Sequence, residues 1–287
     1  MKIKEIFSEK RPVFSLEIFP PKPDYPLETI YQTLEELHAL APDYISVTYG
    51  AGGSSRGRTM EIARHIRETY KIEALAHLTC VNHTRQEIAE ILHGLQGAEV
   101  QNVLALRGDP PQNIEPGRRT EGDFKYASDL ITFIRSRNDF SIGAAAYPEG
   151  HPQSRNLTED TEYLKFKVNT GVDFLVTQLF LDNEYFYRFI DRIRSAGITV
   201  PVTAGIMPVL NANIQRIIAL SNATVPKSLK DLIDKYGGNP IDMEKAGIDY
   251  AVGQIRDLLK HGVDGIHLYT MNKTAQTQAI LRQVRQG

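Results

Sequence analysis

Two kinds of apolar pattern alternate along this chain. Short apolar runs rich in β-branched residues predict strands, and the longer segments between them repeat apolar positions every three to four residues, which predicts helices. The predicted strands are 13–19, 44–49, 73–80, 102–106, 141–147, 173–180, 200–206 and 265–270. The predicted helices are 27–41, 56–70, 84–96, 125–137, 158–170, 183–196, 211–221, 244–261 and 274–285. Strict alternation of the two predicts a parallel sheet.

Eight strand-helix units, with a helix after the last strand, favour a single closed (β/α)₈ TIM barrel over the rival doubly wound open sheet. The length of 287 residues suits one barrel domain over 1–287. The stretch 222–239 breaks the rhythm, and its amphipathic piece 229–236 predicts an extra helix inserted before the last strand. Thr84 and Glu87 are spaced as a capping box at the start of one helix.

Composition excludes several classes of protein. The formal net charge is −2 and the basic residues are dispersed, so we expect neither a nucleic-acid partner nor a membrane surface. The first residues lack the apolar run of a signal peptide, and the expected location is therefore the cytoplasm. Cys80 is the only cysteine, which excludes an intramolecular disulfide and a thiolate-rich metal site. His77 and Cys80 point to opposite faces of one strand, and we expect no metal site there.

Polar side chains at the carboxyl ends of barrel strands are the first candidates for chemistry. Alternation along the first strand places Ser15, Glu17 and Phe19 on the face directed at the barrel mouth. Burial would raise the pKa of Glu17 and suit it to general-acid catalysis, although a structural carboxylate held by a lumen lysine or arginine fits the pattern equally well. His77 lies two residues before Thr79 on the third strand, and a lone histidine is more often structural.

Two glycine-containing turns follow strands. Arg107-Gly108-Asp109 ends the fourth strand, where it could bind a polar ligand or form an ion pair that closes the turn. The loop 50–55 could present backbone N–H groups to a phosphate, but it matches neither the P-loop nor the Rossmann fingerprint. A dinucleotide, if one binds, would bind without a Rossmann turn.

Eight segments, in order along nearly the whole chain, together resemble the methylenetetrahydrofolate reductase family. They are Phe14–Lys22, Ser46–Ser54, Ala76–Cys80, Leu106–Pro110, Ala146–Pro152, Thr177–Phe180, Gly205–Pro208 and Leu268–Asn272. The resemblance implies a (β/α)₈ barrel that holds FAD, with NADH or NADPH as co-substrate. It also implies ping-pong transfer of a hydride through the flavin to 5,10-methylenetetrahydrofolate, which gives 5-methyltetrahydrofolate. Bacterial relatives in this family are often homo-oligomers, which is our expectation here.

The family pattern also implies roles for individual residues. Glu17 would be the general acid, and Asp109 would contact the folate pterin and place negative charge near the flavin. Gln178 would hydrogen-bond the pterin, and Gln215 and Lys273 are further substrate-binding candidates. The residues implied for FAD are Thr48, Tyr49, Ala51, His77, Arg107, Gly108, Asp109, Tyr147, His151, Asp160 and Lys167. This chain departs from the family pattern on the adenosine side, at Tyr163 and Phe166, and at the folate glutamate contact, at Lys273.

Two alternatives stay open at this stage. One is a reductase of the same fold that uses another electron donor or no flavin. The other is a non-catalytic partner subunit that keeps the scaffold, against which the presence of Glu17, Asp109 and Gln178 argues. Nothing in the sequence distinguishes NADH from NADPH, because there is no Rossmann ribose determinant.

Overall fold

A computed structural model describes residues 1–22, 24–49, 56–108, 122–137, 139–214, 218 and 221–286. Within these residues, eight parallel strands form one closed barrel in sequence order, in which each strand pairs with the next and β8 pairs with β1. The strands are β1 Val13–Ile18, β2 Tyr44–Val47, β3 Glu73–Thr79, β4 Asn102–Leu106, β5 Ser141–Ala146, β6 Phe174–Thr177, β7 Val202–Ile206 and β8 Gly265–Tyr269. Ring closure confirms the predicted barrel and shows that the open-sheet alternative is wrong.

Helices alternate with the strands as the hydrophobic periodicity predicts, and one further short helix precedes β1. They are α1 Ile3–Glu9, α2 Glu28–His38, α3 Arg56–His65, α4 Arg85–Gly97, α5 Ala127–Arg135, α6 Leu157–Asn169, α7 Asn183–Ser195, α8 Lys227–Tyr236, α9 Pro240–Lys260 and α10 Thr274–Gln286. A five-residue π-helix, Ile66–Tyr70, continues α3. The predicted capping box starts α4, where the Thr84 side chain accepts a hydrogen bond from the Glu87 N–H. The predicted extra helix before the last strand is α8. Of the predicted helix 211–221, residues 215–217, 219 and 220 lie outside the described residues, and 211–214 are not helical.

Alternation along the strands separates an outer core from the barrel lumen. On β1, Leu16 and Ile18 are buried against the surrounding helices, whereas Val13 belongs to a second apolar cluster inside the barrel. Ser15 and Glu17 lie on the same face as Val13, as the sequence pattern predicts. Among the described residues, no helix has both the length and the apolar character needed to cross a membrane.

The short helix α1 closes the amino-terminal end of the barrel, and the sequence analysis did not predict it. Its buried residues Ile3, Ile6 and Phe7 pack into the lumen cluster together with Tyr44 and Phe174. The phenyl rings of Phe7 and Phe174 have centroids 5.7 Å apart. This apolar plug leaves the carboxyl-terminal end of the barrel as the polar end of the lumen.

Candidate active site

Glu17 lies near the carboxyl end of β1, and two neighbouring strands fix its position. Its register partners are Ser46 on β2 and Tyr269 on β8. Its residue surface is only 5% exposed, so the carboxylate has lost nearly all of its hydration. An ionised carboxylate in such a place requires hydrogen bonds and a compensating charge.

Two histidines provide the contacts to this carboxylate. Nε2 of His267 lies 3.1 Å from Oε2 of Glu17, and Nε2 of His77 lies 3.3 Å from the same oxygen. Each imidazole has a serine partner as well. The Ser15 hydroxyl is 2.8 Å from Nδ1 of His267, and the Ser46 hydroxyl is 2.8 Å from Nε2 of His77. These five side chains, contributed by β1, β2, β3 and β8, form what we call the Glu17 network.

The raised pKa that the sequence analysis expected for Glu17 is wrong. Burial does raise the pKa of this carboxyl group, but the hydrogen bonds and charge of His267 and His77 outweigh burial and lower the pKa to about 2. The alternative of a carboxylate held by a lumen lysine or arginine is also not what the described residues show, because both contacts come from imidazoles. The carboxylate is therefore anionic beside two groups that can carry a proton.

The backbone of Glu17 is held by the turn that follows β8. The Thr270 hydroxyl donates a hydrogen bond to the Glu17 carbonyl over 2.6 Å. The Asn272 side chain bonds both backbone groups of Phe19, accepting from its N–H and donating to its carbonyl, each over 2.9 Å. Met271 and Asn272 have positive φ angles of 51° and 57°, which is a conformation that asparagine tolerates better than most residues. The end of β1 is thus fixed by a reciprocal hydrogen-bonded pair.

A second group of polar residues gathers at the ends of β4 and β5 and on α6. The Asp160 carboxylate accepts hydrogen bonds from the His151 N–H over 3.0 Å and from the Ser154 hydroxyl over 3.1 Å. Lys167 lies close enough to Asp160 to interact electrostatically, and its Nζ donates to the Ala145 carbonyl over 2.6 Å. Arg107 and Lys167 both act on the charge of His151. We call Arg107, His151, Asp160 and Lys167 the rim cluster.

Burial dominates the electrostatics of the rim cluster. It lowers the pKa of Lys167 to about 8, against a smaller opposing effect from Asp160. Burial is likewise the largest effect on the pKa of His151, which it lowers. Asp160 opposes this change, and the charges on Lys167 and Arg107 lower the pKa further. Burial therefore favours the neutral form of both side chains, and the Lys167 ammonium group is a cation at a place that disfavours positive charge, which is a property of sites that receive an anion.

The turn after β4 needs glycine at position 108. Gly108 has a φ of +83°, and a Cβ there would lie 2.8 Å from Cβ of Thr79 and 2.9 Å from Cγ1 of Val81. The backbone of Gly108 therefore lies so close to Thr79 and Val81 that a side chain at this position would require these neighbours to shift.

The remaining residues predicted from the sequence are distributed around the same end of the barrel. Thr48 and Gln178 follow β2 and β6 and are half-buried, and the Gln178 amide oxygen accepts from the Leu179 N–H over 2.9 Å. The hydroxyl of Tyr49 lies 3.4 Å from Nε2 of His83, and the ring of Tyr147 packs edge-on against His151 at 4.6 Å. Lys273 is exposed and precedes α10. The predictions for Ala51, Asp109 and Gln215 lie outside the described residues.

Sequence reasoning missed His267, which is fully buried at the centre of the Glu17 network. The signal was available in the alternation of β8, where Gly265, His267 and Tyr269 share one face and Ile266 and Leu268 share the other. A histidine on the lumen face of the last strand pairs with the first strand once the barrel closes. The match of His267 to Ser15 in register follows from that closure.

The fold and the site together define a class of protein, a (β/α)₈ barrel with a buried acid–imidazole network and a cationic rim at the carboxyl ends of its strands. A family model described as methylenetetrahydrofolate reductase matches residues 2–285. The chain belongs to the methylenetetrahydrofolate reductase family, as its sequence motifs predict.

Two relatives illustrate the match. The chain is 35% identical over 292 residues to methylenetetrahydrofolate reductase (NADH) 1 of Arabidopsis thaliana, a match that covers 98% of this chain and 49% of the plant protein. It thus spans about half the length of its plant relatives. It is also 35% identical to 5,10-methylenetetrahydrofolate reductase of Pectobacterium carotovorum, with 93% of this chain and 88% of that protein covered.

A solved structure shares the fold at low sequence identity. It is an uncharacterized protein from Clostridium thermocellum described as binding two copies of 5-methyl-5,6,7,8-tetrahydrofolic acid. The superposition has a TM-score of 0.68 at 14% identity and covers 100% of this chain and 98% of that one. This likeness supports the barrel fold.

Proposed function

We propose that this protein reduces 5,10-methylenetetrahydrofolate to 5-methyltetrahydrofolate with NADH or NADPH and with FAD as its bound cofactor. The observation that carries the proposal is the Glu17 network, a buried acid–imidazole unit at the polar end of the barrel of a chain in this family. The named activity of the plant and bacterial relatives supports the same assignment.

The proposed reaction takes up one hydride and one proton. The bridging carbon–nitrogen bond at N10 breaks as N10 receives the proton, and the methylene carbon receives the hydride. Glu17 is our candidate for the group that delivers the proton. Its carboxylate lies near the carboxyl end of β1, at the polar end of the lumen, and contacts two side chains that can carry a proton. Since the carboxylate is anionic beside these imidazoles, it acts together with them.

The rim cluster fits the diphosphate of FAD. The Lys167 ammonium group donates to the Ala145 carbonyl, and burial lowers its pKa to about 8, so an anion placed there would relieve an existing electrostatic cost. Arg107 and His151 add donors on the same side, and Gly108 allows a ligand to approach the backbone closely. When bound, FAD supplies the hydride chemistry, and the protein supplies orientation, charge and the proton.

The other proposed contacts follow the family pattern. The residues that we assign to the cofactor are Thr48, Tyr49, Ala51, His77, Arg107, Gly108, Asp109, Tyr147, His151, Asp160 and Lys167. Gln178, Gln215 and Lys273 are assigned to the folate. Gln178 is half-buried after β6, where its amide can both donate and accept hydrogen bonds.

The two half-reactions can be tested separately by absorption spectroscopy without oxygen. The purified protein is mixed with FAD, then with NADH, and then with 5,10-methylenetetrahydrofolate. We expect the flavin band to bleach with NADH and to return with the folate. Glu17→Gln should bleach normally and should return at least ~100-fold more slowly, since a positioned acid contributes about 10²–10⁴-fold. The exposed Glu36→Gln on α2 is the matched control and should behave like the unaltered protein.

Each other outcome contradicts part of the proposal. Equal loss in both half-reactions of Glu17→Gln would remove Glu17 from the acid role. A bound flavin that bleaches but does not return with the folate would move the substrate elsewhere. A protein that binds no flavin would favour the alternatives of direct hydride transfer from another donor or a non-catalytic subunit.

A further inference from the structure

The charge on Glu17 has to be balanced inside the barrel. The carboxylate is almost fully buried, and in the described part of the chain its two charge partners are His77 and His267. A buried carboxylate without a positive partner is strongly disfavoured. One proton must therefore be shared within the Glu17 network, and the question is which group holds it.

His267 is arranged to hold that proton. Its two ring nitrogens face two different oxygens, with Nε2 directed at Glu17 over 3.1 Å and Nδ1 directed at the Ser15 hydroxyl over 2.8 Å. The Ser15 hydroxyl can donate its own hydrogen to the Ile266 carbonyl over 3.3 Å, which leaves its oxygen free to accept from Nδ1–H. With an acceptor at both nitrogens, the imidazolium form satisfies every hydrogen bond of the ring.

His77 is less suited to the same role. A single nitrogen, Nε2, faces both the Ser46 hydroxyl at 2.8 Å and Glu17 at 3.3 Å. One N–H must then serve two partners, and the contact with Glu17 is the longer of the two. His267 is also the more deeply buried ring, with 0% exposure against 8% for His77.

The other titratable groups around His267 carry no positive charge. Tyr269 on β8 meets the ring edge-on at 5.1 Å, and Tyr44 on β2 stacks at 6.4 Å. Burial raises the pKa of Tyr44 to about 12 and the pKa of Tyr269 well above its usual range, so both phenols stay protonated and neutral. Tyr147, which directly follows β5, interacts with Tyr269 as a further phenol.

We propose that His267 is a positioning residue that holds the proton consumed by the reaction and transfers it to Glu17 for delivery to the substrate. This inference rests on the proposed function. The proton leaves Nε2 of His267 for Oε2 of Glu17 along their 3.1 Å contact and passes from the carboxyl group to N10 of the folate. The N10–methylene bond breaks with its electron pair on N10, and the ring of His267 becomes neutral. The hydride that completes the reduction comes from the NADH or NADPH of the proposed function.

The first experiment measures the ring directly. Nitrogen-15 NMR of histidine-labelled protein at pH 7 reports which nitrogens carry hydrogen, and the spectrum of His267→Gln assigns the His267 signals by their absence. We expect both Nδ1 and Nε2 of His267 to be protonated. A neutral ring protonated at Nε2 alone would overturn the proposal, because Ser15 would then be donating to Nδ1 and no proton would be stored.

The second experiment measures the consequence for turnover. His267→Gln keeps an N–H for Glu17 but cannot hold the extra proton. We expect its folate half-reaction at pH 8 to fall by about 100-fold and to recover by up to tenfold for each pH unit of acidification, because Glu17 must then take its proton from solvent. Bleaching of the flavin by NADH should be unchanged. His38→Gln, which removes a half-buried imidazole at the end of α2, is the matched control.

Failure of this inference can be told apart from failure of the proposed function. If the unaltered protein does not reduce the folate, the proposed function fails, whereas the protonation of His267 is still read from the NMR spectrum. If His267→Gln keeps both the rate and the pH profile of the unaltered protein, His267 holds no catalytic proton. Ser15→Ala removes the acceptor for Nδ1 and should give a smaller loss in the same direction if the variant at position 267 does not fold.

Discussion

Replacement of Lys167 by methionine tests whether the buried ammonium group lowers the stability of the ligand-free protein and serves to bind a ligand. Burial lowers the pKa of Lys167 from 10.5 to about 8. A folded pKa below the unfolded value means that the unfolded chain binds more protons between these two pH values, so stability rises as pH rises through this range. Below pH 8 the full cost of burying the charge is present.

The size of that cost follows from the pKa change. At 1.36 kcal/mol per pKa unit, the lowering amounts to about 3 kcal/mol at pH 7, of which about 2 kcal/mol is relieved by pH 9.5. The residue as a whole keeps part of its surface although its ammonium group is buried, and solvent screening reduces the figure. We therefore expect Lys167→Met to stabilise the ligand-free protein by about 1–2 kcal/mol at pH 7, since methionine fills a similar volume without a charge.

The assay is denaturant unfolding at pH 7 and at pH 9.5, together with titration of the protein with FAD. The stability gain of Lys167→Met should shrink by more than half at the higher pH, and its affinity for FAD should fall by about 10- to 100-fold, which is the value of one charge-assisted hydrogen bond. Lys165→Met, an exposed position on the same helix, should change neither quantity. A less stable Lys167→Met with unchanged FAD affinity would refute the reasoning, because Lys167 would then be a structural cation.

Two further substitutions test the turns that hold the site. Gly108→Ala should lower the free energy of unfolding by about 2–4 kcal/mol, since the left-handed backbone and the overlap with Thr79 each cost about 1–2 kcal/mol; an alanine variant of unaltered thermal stability would show that the turn relaxes. Asn272→Ala should cost about 2 kcal/mol through the two lost hydrogen bonds to Phe19 and should slow the folate half-reaction. Asn272→Gly, which tolerates the positive φ, separates backbone strain from those hydrogen bonds, and equal stability of the two variants would mean that strain contributes nothing.

The barrel could be predicted from the sequence because each of its units carries a local signal. β4 was predicted at its observed bounds, and the ends of the other strands moved by no more than three residues. The lumen side of Glu17 also followed from local alternation along β1. By contrast, α1 has only seven residues, which is too short for a helical period to stand out, and its apolar residues face a lumen that exists only after the barrel closes.

The ionisation of Glu17 could not be predicted because its cause is distant in sequence. The residue that contributes the largest opposing effect, His267, is 250 positions away and reaches Glu17 only through the pairing of the last strand with the first. Local sequence shows a carboxylate before two prolines and suggests desolvation alone. The correct sign of the pKa change needs the register of β1 with β8, which no local pattern contains.

The order of side chains along the lumen explains why a proton can be held at Glu17. At the closed end, α1 and the lumen residues Leu75, Leu104 and Phe174 form an apolar plug. The Glu17 network lies above that plug, on the side of the open end. The carboxyl ends of parallel strands all lie at that end, and the rim cluster lies there too. If a proton is held on one side of Glu17 and a reactant binds on the other, this single carboxylate joins the two. The direction of the strands places the reactant at the open end of the barrel.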